Sequence, residues 1–172
     1  AYTDADLGAA ARDAHVILAS HLDAITRGVM EAAPSLRLVI VPFIGTDKID
    51  IEAASRLGIL VANSPTPENF IAVAEATVAL TLLLQKRIKH NEAKMRRGEW
   101  AQRGDRGEFL FGKTVGLIGL GRVGSHVARR LVNWDVRLLA CDPYVSAERA
   151  RSLGATLVDL PTLLAESDVV SL

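Results

Sequence analysis

Residues 113–142 read KTVGLIGLGRVGSHVARRLVNWDVRLLACD, and this stretch decides the fold. An apolar strand comes first, a Gly-x-Gly-x-x-Gly turn at Gly119, Gly121 and Gly124 follows, and an amphipathic helix leads to a second apolar strand that ends at Asp142. The stretch has the length of one β-α-β unit, and Asp142 lies 21 residues after Gly121. This order and spacing are those of a dinucleotide-binding β-α-β unit.

Each glycine of this turn has a predicted physical role. Gly119 permits a tight strand-to-helix turn, Gly121 lets a pyrophosphate approach the backbone, and Gly124 lets the helix pack closely. The free N–H groups at the helix start, including those of Arg122 and Val123, then face the phosphates, aided by the helix dipole. Two alternatives stay open: a structural glycine turn without a ligand, and an adenosyl or mononucleotide ligand.

Asp142 distinguishes between the two nicotinamide dinucleotides. A carboxylate at the end of the second strand accepts hydrogen bonds from both ribose hydroxyls of the adenosine half. A 2′-phosphate at close range would instead meet like charge, at a cost of ~4 kcal/mol with an effective dielectric constant near 20. Pro143 and Tyr144 follow, and neither provides an Arg to receive a phosphate. The sequence therefore favours NAD over NADP.

The rest of the chain alternates short apolar runs with helical patterns. The runs that predict strands are residues 16–19, 38–41, 59–62, 115–118, 136–141, 155–158 and 169–172. The patterns that predict helices are residues 4–14, 23–33, 50–57, 123–133, 146–153 and 161–166. Continuous apolar strands are buried on both faces, so we expect an α/β fold with parallel sheets and helices on both faces.

One segment interrupts this alternation. Residues 69–97 predict a single long helix, first apolar and buried, then basic. Residues 98–112 are rich in glycine and charge, which is typical of an exposed connection. We therefore place the lobe boundary near residue 98, giving lobes of residues 1–98 and 99–172. The basic half-helix has two interpretations, a nucleic-acid patch and a solvated helix face, and the lack of interleaved aromatic residues favours the second.

Composition narrows the class of protein and its location. The chain has 172 residues and a formal net charge of +0, which argues against a nucleic-acid backbone or an anionic membrane as main partner. Its single cysteine, Cys141, cannot form an internal disulfide, so we expect the reducing cytoplasm. The four histidines lack metal-ligand spacing, which predicts no metal site. Glu75 lies inside the apolar helix, and we favour a structural role for it, as a hydrogen-bond partner of backbone amides, over a catalytic role.

With the glycine turn placed, the sequence resembles the D-isomer-specific 2-hydroxyacid dehydrogenases. The resemblance rests on segments that occur in one order: GTDKID at 45–50, AA at 53–54, GILVANSP at 58–65, Asn69 with VAE at 73–75, LFGKTVG at 110–116, the glycine turn through DPY at 142–144, and SDVV at 167–170. It implies a flavodoxin-like substrate lobe, a Rossmann NAD lobe and a homodimer. It also implies hydride transfer between C2 of a D-2-hydroxy acid, or its 2-oxo acid, and the nicotinamide of NAD.

The resemblance also implies site residues. Backbone amides of Phe43, Ile44 and Gly45 hold the substrate carboxylate, with Ile44 and Thr77 near the cofactor; an ordinary strand-to-helix turn is the alternative for this loop. The catalytic Arg, Glu and His are expected beyond this chain, so we expect no catalytic residue within it, both ends of the family sequence missing, and the chain alone inactive.

The resemblance leaves the substrate and the function class open. Phosphoglycerate dehydrogenases of the family often carry Arg near the positions of Ala19 and Val41. The absence of Arg at these two positions weakens the interpretation that the substrate is phosphorylated, without excluding it. The alternative function is an NAD-sensing binding module resembling the C-terminal binding protein corepressors, and a third reading is a truncated product without function. We expect a small-molecule partner, and neither nucleic acid nor membrane.

Overall fold

A computed structural model describes residues 2–172 and divides them into two compact units. The first unit ends at Asn69, and the second runs from Phe70 to Leu172. Each unit has its own buried apolar core and its own parallel sheet. The α/β class predicted from the sequence is confirmed.

The first unit is a three-stranded parallel sheet in the order β1-β2-β3. Its elements in chain order are α1 (Asp4–Ala11), β1 (Val16–Leu18), α2 (Arg27–Glu31), β2 (Leu38–Val41), α3 (Ile51–Leu57) and β3 (Leu60–Asn63). The helices begin where side chains of Thr3, Thr26 and Asp50 accept hydrogen bonds from backbone N–H groups of the first turn. Parallel strands in sequence order suit part of a flavodoxin-like lobe.

Helices cover only one face of this first sheet within residues 2–69. Val39 is fully buried against the helices, and Ile17 and Val61 pack beside it. The opposite face carries Leu18 and Leu60, whose exposed fractions are 70% and 72%. For the first unit, the helices within residues 2–69 therefore cover one face of the sheet, while the α/β class with parallel sheets holds. An apolar run predicts a parallel strand, but whether its second face is covered depends on segments elsewhere.

The second unit is a four-stranded parallel sheet in the order β6-β5-β4-β7. Its elements are α4 (Pro67–Gln85), which starts three residues before the unit boundary, α5 (Ile88–Arg96), a 3₁₀ turn (Arg103–Asp105), β4 (Thr114–Ile118), α6 (Arg122–Leu131), β5 (Arg137–Cys141), α7 (Ala147–Ser152), β6 (Ala155–Leu157), α8 (Leu160–Glu166) and β7 (Val169–Ser171). The chain moves outward from β4 to β6 and then returns to the other side of β4. This strand order confirms the Rossmann lobe.

Helices cover both faces of the second sheet. On one face, Val115 and Leu117 of β4 pack with Val127 and Leu131 of α6. On the other face, α8 packs against β4 so closely that a Cβ on Gly116 would lie 2.6 Å from a methyl carbon of Leu163. The expected two-sided cover is confirmed for this unit.

The long helix predicted over residues 69–97 is two helices. Arg87 adopts a left-handed backbone with φ 50° between α4 and α5. Neither Gly nor Pro marks this break in the sequence. The chain that returns after α5 explains the break, because the N–H of Glu108 donates to the carbonyl of Gln85 at 2.7 Å and the Arg87 guanidinium donates to the carbonyl of Gly104 at 2.6 Å. The break is a tertiary effect.

The unit boundary lies at Asn69 and Phe70, earlier than the predicted boundary near residue 98. Ala74 of α4 is fully buried in the same core as β4 and α6, so the helix belongs to the second unit. The sequence signal at residue 98 marks a surface loop instead. The position of this boundary does not decide which lobe binds substrate and which binds NAD.

The prediction that α4 is buried is wrong. Only Ala74 and Thr81 of this helix are buried, while Leu80 and Leu84 are exposed. By length and composition alone α4 could cross a membrane, with a mean hydropathy of 1.4 over its apolar window. That is weak evidence, because core helices of soluble proteins pass the same test.

The glycine-rich segment after α5 is held by Asp105 instead of being a free connection. The Asp105 carboxylate accepts hydrogen bonds from the Lys94 ammonium at 2.5 Å, the Gln102 backbone N–H at 2.7 Å and the His90 ring at 2.7 Å. Lys94, then Gln102, then His90 hold the pKa of this carboxyl well below its usual range. Below we call Asp105 and these three partners the Asp105 cluster.

Candidate cofactor and substrate sites

The glycine turn lies at the carboxyl end of β4, where the strand order reverses. The chain leaves β4 toward β5, whereas β7 pairs with β4 on the other side. In open parallel sheets this reversal opens a crevice at the carboxyl ends of the two central strands, and ligands bind there. The glycine turn is therefore at the ligand-binding position of its sheet.

The three glycines of the turn differ in the structural reason for a glycine at each position. Gly119 has φ 96°, a left-handed conformation that favours glycine. A Cβ on Gly124 would lie 2.1 Å from the carbonyl oxygen of Gly119. Gly121 has φ −70° and a Cβ there would meet nothing within 4 Å. The turn and packing roles of Gly119 and Gly124 are confirmed, and the open space at Gly121 leaves room for a ligand.

The N–H groups of Arg122 and Val123 are at the start of α6, where no intrahelical acceptor exists for them. The guanidinium carbon of Arg122 lies 4.9 Å from the centroid of the Phe70 ring, a cation–π contact. Phe70, which the sequence analysis did not single out, thereby holds the Arg122 side chain next to the turn.

Asp142 is tied to the turn by its own hydrogen bonds. One carboxylate oxygen accepts from the Leu120 N–H at 2.7 Å, and the other accepts from the Tyr144 N–H at 2.8 Å. The N–H of Leu120, and then that of Tyr144, lower the pKa of Asp142. Asp142 is thus a fixed anion beside the glycine turn. Its structural contact with Leu120 is invisible in the sequence.

A cavity of about 230 Å³ lies beside the glycine turn. Gly119, Gly121, Val123 and Gly124 line it, together with Thr77 of α4. The predicted cofactor residue Thr77 is therefore at the same cavity as the turn, although its hydroxyl donates to the Val73 carbonyl at 2.9 Å.

Several lining residues of this cavity were not predicted as site residues, among them Val73 and Ser171. Val73 belongs to the same helix as Thr77, one turn earlier. Ser171 is at the end of β7, and its signal is topological: the carboxyl end of the strand beside β4 is part of the crevice. That signal needs the strand order, which the sequence alone does not provide.

The predicted substrate loop belongs to the first unit and follows β2. The carbonyl of Phe43 accepts from the Ser64 N–H at 3.0 Å, and the carbonyl of Ile44 accepts from the Asn63 side-chain amide at 2.8 Å. Within residues 2–172, the N–H groups of Phe43, Ile44 and Gly45 have no hydrogen-bond acceptor. The loop thus presents three free donors while the carbonyls of Phe43 and Ile44 are held, an arrangement that can bind an anion.

A cavity of about 340 Å³ adjoins this loop. Phe43 and Gly45 line it, with Ser20 and His21 from the segment after β1 and Val41 from β2. The His21 ring meets the Phe43 ring edge-on, with centroids 5.3 Å apart. Ser20 and His21 were missed as site residues. Ile44 is in this unit, whereas Thr77 and the glycine turn are in the other.

The remaining candidates have structural contacts. Glu75 pairs with Arg130 at 3.0 Å on the exposed side of α4, a side-chain partner instead of the expected backbone amides. His90 belongs to the Asp105 cluster. In the described part of the chain, no three His, Cys, Asp or Glu side chains come together as metal ligands.

Comparison with known proteins identifies the family. Residues 78–172 match the family model for the NAD-binding domain of D-isomer specific 2-hydroxyacid dehydrogenases. The chain belongs to this family. The match covers the glycine turn and Asp142, so the second unit is an NAD-binding domain of the family, and the NAD prediction is confirmed.

Sequence relatives and solved structures agree with this family. D-3-phosphoglycerate dehydrogenase of Mycobacterium tuberculosis is 39% identical over 163 residues, which are 95% of this chain and 31% of that protein. Apo D-lactate dehydrogenase of Escherichia coli matches 98% of this chain with a TM-score of 0.83 and 33% identity, over 53% of its own chain. NAD-dependent formate dehydrogenase of Staphylococcus aureus, in complex with NAD, matches 96% with a TM-score of 0.86 and 32% identity, over 50% of its chain.

This chain therefore spans about a third of the length of its dehydrogenase relative and about half the length of the two solved chains. The relatives named here are all dehydrogenases, so they give no support to the corepressor alternative.

Proposed function

We propose that the protein is an NAD-dependent D-2-hydroxyacid dehydrogenase that transfers a hydride between C2 of a D-2-hydroxy acid, or its 2-oxo acid, and the nicotinamide of NAD. The observation that carries this proposal is the open space at Gly121 in a glycine turn at the crevice of a family NAD-binding domain. NAD supplies the hydride chemistry when bound.

The chain's own residues would divide the work of binding. The N–H groups of Arg122 and Val123 would donate to the pyrophosphate, and Asp142 would accept from the ribose hydroxyls of the adenosine half. In the first unit, the three free N–H groups at residues 43–45 would hold the substrate carboxylate and so orient C2. The catalytic Arg, Glu and His implied by the family would come from outside this chain.

We further propose a homodimer in the cytoplasm, with no nucleic-acid or membrane partner. Large apolar side chains on the second unit support association, since Trp100, Phe109 and Phe111 are all strongly exposed. Exposed apolar patches of this kind mark association surfaces. The single Cys141 and the balanced net charge support a reducing compartment and a small-molecule partner.

Two measurements test the proposed reaction. Calorimetric titration of this chain should show NAD binding, and Gly121→Val should abolish it. The full-length protein should oxidise NADH in the presence of 2-oxo acids, whereas this chain alone should not do so above the Gly121→Val control. Absence of NADH oxidation with every 2-oxo acid in the full-length protein would overturn the proposal.

A further inference from the structure

The cavity beside the Phe43–Gly45 loop has few cationic groups, although it adjoins the loop proposed to hold an anion. Among residues 2–172, none of the side chains lining it is an arginine. Lys48 lines the cavity, but Asp47 also lines it, so the two formal charges cancel. A phosphate group is recognised by bidentate arginines or by several cations together. The cavity lacks such a set.

The polar groups in this cavity have other partners. The Ser20 hydroxyl donates its proton to Asp23 at 2.9 Å, so that proton is not available to a ligand anion. The Asp47 carboxylate is close to the loop, because a Cβ on Gly45 would lie 2.7 Å from its oxygen. A second anionic group on the ligand would therefore meet the Asp47 carboxylate near the loop. One carboxylate can be held by the free N–H groups, but the side chains that line this cavity within residues 2–172 provide no equivalent set of donors for a further phosphate.

The remaining wall is apolar. Val41 and Ile49 are buried side chains whose surfaces line the cavity, and Phe43 is exposed with its ring against His21. The volume of about 340 Å³ is at the small end of the range for small-molecule sites. Apolar walls of this kind favour a ligand side chain that loses its water on binding.

We propose that this cavity selects 2-oxo acids, and the corresponding D-2-hydroxy acids, whose side chain is uncharged and apolar, and that it disfavours phosphorylated ones. The proposal rests on the proposed function, because it takes the Phe43–Gly45 loop as the carboxylate site. It separates this protein from the substrate that its D-3-phosphoglycerate dehydrogenase relatives are named for. Val41 and Phe43 would then determine specificity through contact with the substrate side chain.

A binding measurement on this chain tests selectivity directly. In ¹H–¹⁵N spectra, phenylpyruvate and 4-methyl-2-oxopentanoate at millimolar concentration should shift the amide signals of Phe43 and Gly45. The same concentration of 3-phosphohydroxypyruvate should shift them much less. Equal or larger shifts with the phosphorylated acid, or no shifts with any of the three, would overturn the proposal.

A charge added to the cavity provides the matched comparison in the full-length protein. His21→Arg places a permanent cation on the lining, and should raise kcat/KM for 3-phosphohydroxypyruvate relative to phenylpyruvate by about 10- to 100-fold, the value of one charge-assisted hydrogen bond. Leu22→Arg adds the same charge at the next residue, which is exposed and does not line the cavity, and should leave the ratio unchanged.

The outcomes separate the two proposals. A wild-type enzyme that prefers 3-phosphohydroxypyruvate, or an equal change of the ratio in both variants, overturns the selectivity and leaves the dehydrogenase activity standing. If no 2-oxo acid is reduced at all, the proposed function fails, and the amide shifts of this chain still decide whether the cavity selects apolar acids.

Discussion

The two units are built on the same kind of parallel sheet, but the chain covers them differently. In the second unit, α6 and α8 enclose both faces, and even Gly116 packs tightly against Leu163. In the first unit, Leu18 and Leu60 stand on a face that no described helix covers. Continuous apolar strands therefore predict parallel pairing reliably, whereas two-sided burial also requires helices that their own sequence does not specify.

The two sites differ in the same way. The glycine turn and Asp142 of the predicted cofactor site lie in one continuous stretch, residues 113–142, although Thr77 and Ser171 from other elements line the same cavity. The predicted substrate loop is three residues long, and the carbonyls of Phe43 and Ile44 are held by Ser64, just after β3, and by Asn63, at its end. A site formed by one segment can be recognised by its spacing, while a site held by distant partners is found only by resemblance or by structure.

The glycine turn offers the strongest test of this contrast. Gly124→Ala places a Cβ against the Gly119 carbonyl, a backbone atom that cannot move away cheaply, and should lower the free energy of unfolding by roughly 3 kcal/mol, the upper end for overpacking. Gly121→Ala meets open space and should change the free energy of unfolding by less than about 0.5 kcal/mol. Denaturant unfolding and NAD titration measure both effects.

The informative result is the combination of the two variants. Gly121→Ala should weaken NAD binding without loss of stability, whereas Gly124→Ala should reduce both. Amide exchange in β2 should be unchanged in either variant, since the first unit has its own core. Equal stability losses in the two variants would mean that Gly121 is a structural glycine.

Gly45 tests the substrate loop by the same logic. Gly45 does not have a positive φ, and an added Cβ there would meet only the flexible Asp47 side chain. In the full-length enzyme, Gly45→Ala should therefore leave the melting temperature nearly unchanged. Displacement of the carboxylate by ~1 Å should lower kcat/KM on the order of 100-fold, with NADH affinity much less affected.

The double variant Gly45→Ala/Asp47→Ala serves as the control for the crowding by Asp47. If it restores kcat/KM fully, the loss came from the Asp47 contact. If Gly45→Ala leaves kcat/KM unchanged, or lowers NADH affinity, turnover and stability in parallel, Gly45 belongs to an ordinary turn and not to a substrate site.

Asp142 should produce an effect of intermediate size. Asp142→Ala should weaken NAD binding by about 10- to 100-fold, since a hydrogen bond to a charged group contributes roughly 1.5 to 3 kcal/mol, while relieving repulsion toward NADP. Asp142→Asn can keep an acceptor for the Leu120 N–H and removes only the charge. Titration of both cofactors against the three proteins separates the two roles, and an unchanged NAD-to-NADP ratio in Asp142→Ala would contradict the ribose assignment.

The Asp105 cluster should give the smallest effect, confined to one loop. Because the pKa of Asp105 is lowered in the folded protein, its stabilising contribution is present above the ordinary carboxyl pKa of ~3.9 and is lost as pH falls through the lowered value. Asp105→Asn should increase amide exchange at residues 98–112 at pH 7, with the melting temperature unchanged. Arg103→Gln, in the same turn but outside the cluster, is the control. Equal amide exchange in the two variants would show that Asp105 does not hold this loop.

Sequence reasoning succeeded where the cause of a structure is local. Every predicted strand is present within two residues of its predicted ends, and Asp50 caps α3 as expected. It failed where the cause is tertiary. The break at Arg87 depends on Gly104 and Glu108, which lie far along the chain, and the exposure of Leu80 and Leu84 depends on what else packs on α4.

Asp142 has two roles in our proposal, a ribose contact and a hydrogen bond to the loop, and together they limit how this chain could change its coenzyme preference. The carboxylate that we propose to discriminate against a 2′-phosphate also accepts a hydrogen bond from the Leu120 N–H. A lineage that discards the acid to accept NADP leaves a main-chain donor without its partner. Such a conversion therefore has two routes: an uncharged acceptor such as Asn at position 142, or a second substitution in the loop that supplies a new acceptor for the Leu120 N–H.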